Sequence, residues 1–115
     1  MSKRIYVPTT LSGLAAYSAG GEVPAAEERF VAPDETEEGE YAALVAAGAA
    51  AAELLDGTGR RVVVVAEVAD PDGPVPLRDV VAVHADPEEG AHPDDDLAWF
   101  ATQEIPQLLD GSAFG

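Results

Sequence analysis

His84 and Asp86 stand two apart at the end of a β-branched run, and they are the pair in this chain best suited to proton chemistry. Residues i and i+2 of a strand share a face. A carboxylate so placed can orient an imidazole for acid–base work, or join it on a metal ion. Glu40, beside Tyr41, is a third candidate if the fold carries it to His84. Against this stands a plainer reading. Two or three such groups without a Ser or Cys motif fall short of a catalytic constellation. A hydrogen-bonded strand-end histidine, an exposed glutamate and a core tyrosine would account for them equally well.

Trp99, Thr102, Gln103 and Glu104 form the most distinctive polar–aromatic cluster. A large aromatic beside Gln and Glu can line a pocket or anchor a protein contact. The competing account puts Trp99 in the core, makes Thr102 a helix cap and leaves Glu104 to the helix dipole. Pro8-Thr9-Thr10 joins a strand to a helix start, where backbone N–H groups can hold an anion, but no Gly-rich loop or lysine accompanies it. His92 with Asp94, Asp95 and Asp96 offers one imidazole and hard oxygen ligands without the spacing of a calcium loop, so solvated charge is the default. No cofactor and no metal site is expected.

The elements that must position these groups follow from the patterning. Lys3 to Val7 reads as a first strand ended by Pro8. A short helix capped by Thr9 or Thr10 carries Leu11, Leu14 and Ala15 on one face and stops at Gly20-Gly21. Arg29 to Ala32 is a candidate short strand. Asp34, with Glu37 three residues on, opens the clearest helix. Tyr41, Leu44, Val45, Gly48, Ala52 and Leu55 recur with its 3.6-residue period and are read as its inward face. The Ala-rich middle, with Gly48 on that face, would let it lie close to a sheet, and Gly57 ends it. The unbroken Val62-Val63-Val64-Val65 run marks a strand covered on both faces, hence central in a sheet. A turn follows over 70–74, a helical turn near Leu77, and another strand over 81–85. Leu97 to Ala101 is read as strand, then a helix capped by Thr102. Pro106 falls in that helix's first turn, where it is tolerated; deeper inside it would cost about 3 kcal/mol. The alternative is one continuous helix over 97–109.

The fold expected is therefore α/β, one domain over 1–115. It has a mixed sheet of four to five strands, with two main helices and a short C-terminal helix packed on it. Residues 86–96 form an acidic loop and 112–115 a tail. Helices between the early strands favour parallel pairing there.

Composition narrows the partners. Six Lys and Arg face 22 Asp and Glu, giving a formal net charge of −16. Such a chain repels polyanions, so neither nucleic acid nor an anionic membrane is an expected partner. A basic protein, or a divalent cation, would be attracted. The absence of cysteine excludes disulfides and thiolate chemistry. No apolar run approaches a membrane span and no signal peptide is visible, so a soluble, cytoplasmic protein is expected.

Two stretches carry a resemblance. The opening Arg4-Ile-Tyr-Val-Pro-Thr-Thr-Leu and the closing Leu97-Ala-Trp-Phe-Ala-Thr-Gln-Glu-Ile-Pro-Gln-Leu-Leu are similar to the ends of a family of small uncharacterised actinobacterial proteins. Between them come a Glu40-Tyr41 helix, an Arg60-Arg61-Val strand and an H-x-D segment, in the family's order. Phe100 stands where that family usually has Tyr. The resemblance implies a shared fold and no assigned activity.

Three functional expectations result. The first is a non-enzymatic protein-binding or regulatory module that uses the Trp99 cluster. The second is a small enzyme or ligand-binding protein built on His84, Asp86 and Glu40. The third is an acidic sequestering protein for a basic partner. Oligomeric state stays open.

Overall fold

The computed structural model describes residues 2–55, 59–90, 92 and 94–114. In chain order the elements are β1 (Lys3–Thr9), α1 (Leu11–Gly20), β2 (Glu22–Val23), β3 (Phe30–Val31), α2 (Glu37–Glu53), β4 (Val62–Val68), β5 (Val75–Pro76), β6 (Val80–Ala85), β7 (Ala98–Phe100) and α3 (Ile105–Asp110). Short 3-10 turns cover Leu77–Asp79, Thr102–Glu104 and Ser112–Phe114.

The valine run does what its composition predicts. Val62 to Val65 are at most 3% exposed, and β4 is the third strand of a five-stranded sheet ordered β3-β1-β4-β6-β7. Every pairing in that sheet is antiparallel, where a mixed sheet was expected. The reason lies in one insertion. Helix α2 does connect two strands of like direction, β3 and β4, as a helical crossover must. Strand β1 lies between them and runs the other way, pairing with both. A small ribbon, β2 paired with β5, was not anticipated.

The sheet's faces follow from its period of two. Ile5, Val7, Val64, Ala66 and Val83 point to one side. There Leu14 and Tyr17 of α1, Ile105 and Leu108 of α3, and Val23 and Val75 of the ribbon close over them. Burying a side chain such as Leu108 contributes roughly 1.5–3 kcal/mol. Tyr6, Val63, Val65 and Ala82 point to the other side, against Ala43 and Ala47 of α2.

Local signals account for the ends of the elements. The Thr10 side chain accepts the Gly13 N–H at 3.0 Å, and α1 closes on Gly21 at φ 81°, a conformation that favours glycine. At α2 the cap is Thr36, which accepts from Gly39, and not Asp34. Asp34 instead accepts the Thr36 N–H at 3.0 Å and steadies the cap from outside. Strand β1 runs through Pro8 to Thr9 and does not end there. Strand β3 pairs only with Ile5 and Tyr6, so beyond Tyr6 the ladder is needed on one side alone and a missing N–H is tolerated. The segment from 97 onward is strand plus helix, with Pro106 in the first turn of α3.

Two further expectations need correction. The inward face of α2 is the small stripe Gly39, Ala43, Ala47, Gly48 and Ala51, while Tyr41 and Val45 are 58% and 52% exposed. Alanines at i, i+4 and i+8 let the helix axis approach the sheet, and this close contact leaves no room for the larger residues. Ser112–Phe114, expected with residue 115 as a tail, are also not loose, and residue 115 lies outside the described residues. Phe114 meets Phe100 edge-on at 5.9 Å between ring centres and lies under the Arg60 guanidinium at 3.8 Å. Gly57 and its neighbours 56 and 58, expected to end α2, lie outside the described residues. Among the described residues, no helix is long and apolar enough to cross a membrane.

Candidate functional site: an open trough beside the alanine-rich helix

Helix α2 lies over β3, β1 and β4 and does not reach the far edge of the sheet. The β6–β7 side of that face is therefore only partly covered: Ala82 and Leu97 pack at the margin of α2, and the surface beyond them is open. A trough of about 320 Å³ results. Its floor is Val65, Ala82 and His84. One wall is Tyr41 and Leu44 from α2, and the other is Trp99 from β7. Pairing puts His84 directly opposite Trp99, so the two share this face. Trp99 is 61% exposed, well above the fully packed position that a core role requires.

Arg4, Tyr6 and Glu40 close one end. Arg4 donates to Glu67 at 2.6 Å and reaches Glu40 only at 3.5 Å, so Glu67 is its main partner. Burial, then the nearby Glu40 charge, pushes the Tyr6 hydroxyl above its ordinary range. Beyond Tyr41 and Leu44 the trough continues into a second hollow of about 230 Å³, bordered by Gly48, Arg61, Leu97 and Asp94 to Asp96.

His84 and Glu40 thus line one site, as the second functional expectation required. Asp86 does not join them. Strand β6 ends at Ala85, and the Asp86 carboxylate is held by Arg61. Its Oδ2 accepts the Arg61 backbone N–H at 2.8 Å and Nε–H at 2.9 Å, and its Oδ1 accepts Nη2–H at 2.7 Å. The two side chains are 1% and 5% exposed. Asp86 is thus neither the orienting group for His84 nor part of a solvated loop. The Nδ1 of His84 is buried without a hydrogen-bond partner among the described residues. Burial holds the imidazole below its usual pKa, so it is neutral at pH 7.

The closing cluster also divides. Trp99 lines the trough. The Thr102 hydroxyl donates to the Val80 carbonyl at 3.0 Å, and Glu104 Oε1 accepts the Ala101 N–H at 3.4 Å. Both therefore hold the turn into α3, and Gln103 is exposed away from the trough. At Pro8-Thr9-Thr10, Thr10 is the helix cap described above. His92 Nδ1 accepts the Asp94 N–H at 3.1 Å within its own loop, and no cluster of three metal-ligating side chains occurs among the described residues.

Sequence reasoning missed Arg4, Tyr6 and Leu44 as parts of the site. A signal for the first two was present. They alternate with Ile5 and Val7, so once Ile5 and Val7 are core, Arg4 and Tyr6 must share the opposite face. No curated protein and no solved structure matches the chain. A family model does, over residues 3–109, and the chain belongs to that family of unknown function, DUF6912.

Proposed function

We propose that this protein is a non-enzymatic recognition domain that takes an extended segment of a partner protein into the trough beside α2. One observation carries the reading. The largest apolar residues of α2 and β7, Tyr41 and Trp99, are kept out of the core and line the same open trough at the partly covered side of the sheet. Exposed aromatics gathered around a concavity mark binding sites, whereas scattered ones need no explanation. The two hollows share Tyr41 and Leu44 and follow the flank of α2 from Glu40 to Gly48. That stretch is about 12 Å at 1.5 Å per helical residue, the reach of roughly four residues of extended chain.

The enzymatic alternative is weaker on this geometry. Its carboxylate, Asp86, is fully engaged by Arg61, and His84 has no orienting partner among the described residues. A chain without cysteine and with so acidic a composition suits the cytoplasm, and that compartment is part of the proposal.

Peptides selected from a display library on the intact protein test the reading. Their binding should perturb the backbone amides of Tyr41, Leu44, His84 and Ala98 to Phe100. It should also weaken in a Trp99→Ala variant. Binders that perturb the α1–α3 face instead, or that hold Trp99→Ala as tightly as wild type, would overturn it.

A further inference from the structure

We infer that the side chain this trough selects is a cation, an arginine carried on the extended partner segment, seated against Trp99, Tyr41 and Glu40. The inference rests on the trough being a recognition site and adds the chemistry of what enters it.

Three observations converge on it. The first is the wall chemistry. An aromatic face attracts a cation through its quadrupole, and indole is the best of the side chains at this. Here an indole 61% exposed and a phenol ring 58% exposed border the same hollow as the Glu40 carboxylate. A planar guanidinium can stack on a ring while its N–H fork meets a carboxylate, which a rounded ammonium cannot do. The second is where the protein spends its own cations. Of six Lys and Arg, Arg4 is held by Glu67, Arg29 by the carbonyls of Pro24, Pro71 and Gly73, Arg60 stacks on Phe114, and Arg61 is locked to Asp86. Acidic residues are left to dominate the surface, and Asp94, Asp95 and Asp96 border the trough's far end. The third is Glu40 itself. Arg4 puts its short bond on Glu67 and meets Glu40 only at 3.5 Å, so a guanidinium arriving from solvent competes with a long contact and not a tight one. His84 on the floor is neutral at pH 7, and the two cations that line the hollows, Arg4 and Arg61, are each already paired with a carboxylate, Glu67 and Asp86.

Titrating the full chain with an acetylated, amidated peptide of alternating arginine and serine tests this. The readout is emission of Trp99, the sole tryptophan. A twin peptide carries citrulline, which keeps the shape of arginine and lacks its charge. At near-physiological salt the arginine peptide should shift the emission and saturate. The citrulline twin should bind roughly tenfold more weakly or worse, as expected for loss of a charge-assisted contact. Glu40→Gln and Trp99→Ala should each weaken the arginine peptide, followed for the latter by amide shifts. Equal binding of the citrulline twin would overturn the cation inference and leave the recognition site standing. Arginine-peptide binding that is the same in Trp99→Ala would mean diffuse attraction to an acidic surface, and would overturn the seat proposed here. If the arginine peptide fails to bind while display-selected neutral peptides occupy the trough, the cation inference falls alone. If no peptide of either kind occupies it, the recognition reading falls with it.

Discussion

Replacing Asp86 by Asn should cost about 3–5 kcal/mol of folding stability, the range found when one member of a buried ion pair is removed. The figure follows from the geometry. Asp86 receives three N–H groups of Arg61 at 2.7–2.9 Å, and both side chains are within 5% of complete burial. An asparagine keeps the shape and removes the charge. Whichever way its amide is turned, an NH2 then confronts at least one Arg61 donor. A guanidinium is left in a place where water barely reaches, and unmade bonds to a charged group cost more than neutral ones. A domain of this size has roughly 5–15 kcal/mol in total, so the variant should melt far below wild type or unfold. Urea denaturation followed by far-UV circular dichroism measures the difference. A double variant, Arg61→Met with Asp86→Leu, separates the pair's worth from the cost of breaking it. Apolar replacement of a whole buried pair is often neutral or stabilising, so the double variant should recover most of the loss. An Asp86→Asn variant within about 1 kcal/mol of wild type would refute the argument, because such a small loss belongs to an exposed pair.

Other consequences are simpler to check. Gly48→Ala should stabilise the protein by about 0.5–1 kcal/mol. The added methyl meets Leu97 and Arg61 at 3.6 and 3.9 Å, ordinary contact distances, and thermal melting reads the gain. Ala47→Leu should lose about 1–3 kcal/mol, since Ala47 is 0% exposed against the sheet and an isobutyl group must push α2 away. Trp99→Ala should leave the unfolding free energy from urea denaturation within about 0.5 kcal/mol of wild type, because most of its ring stands in solvent. His84 sets a pH dependence. Burial lowers its folded pKa, so as pH falls the unfolded chain binds the proton first. Its contribution is complete above the unfolded value near 6.5 and is lost as pH falls through the lower folded value. His84→Asn should flatten that part of the stability–pH curve. Identical slopes in the two proteins would show that the imidazole is not desolvated.

Much of the fold was legible because strong local signals agreed with one another. Four consecutive β-branched residues at Val62–Val65 can be satisfied only by cover on both faces, and α1's threonine cap and paired glycines fix both its ends. Strand direction was not legible. The rule that helices join parallel strands holds here for β3 and β4, yet nothing local announces that β1 will slide between them. The β2–β5 ribbon was hidden for a related reason. Two-residue strands carry no period, and their pairing spans more than fifty residues of chain.

The face that α2 buries shows why the site was only half visible. Periodicity identifies a helix but weighs each residue by hydrophobicity, so Tyr41, Leu44 and Val45 outvoted the alanines for the inward face. Packing weighs volume and distance as well. A helix pressed onto a sheet through Ala43, Ala47 and Ala51 gains contact along its whole length, and larger side chains on that stripe would hold it off. The same choice that makes the core close therefore displaces an aromatic and two aliphatic residues to the flank, where α2 covers β6 only at Ala82. Trp99 reaches that flank by strand alternation, because Phe100 takes the opposite face with the core and Phe114. The trough is thus a direct consequence of alanine packing beside a sheet wider than its helix. It follows that Ala43→Leu or Ala47→Leu, by lifting α2, should alter the environment of Trp99 on the far wall. A red or blue shift of its emission, in a variant still folded by circular dichroism, would register that link. Unchanged emission in a folded Ala47→Leu protein would show that helix height and trough shape are independent.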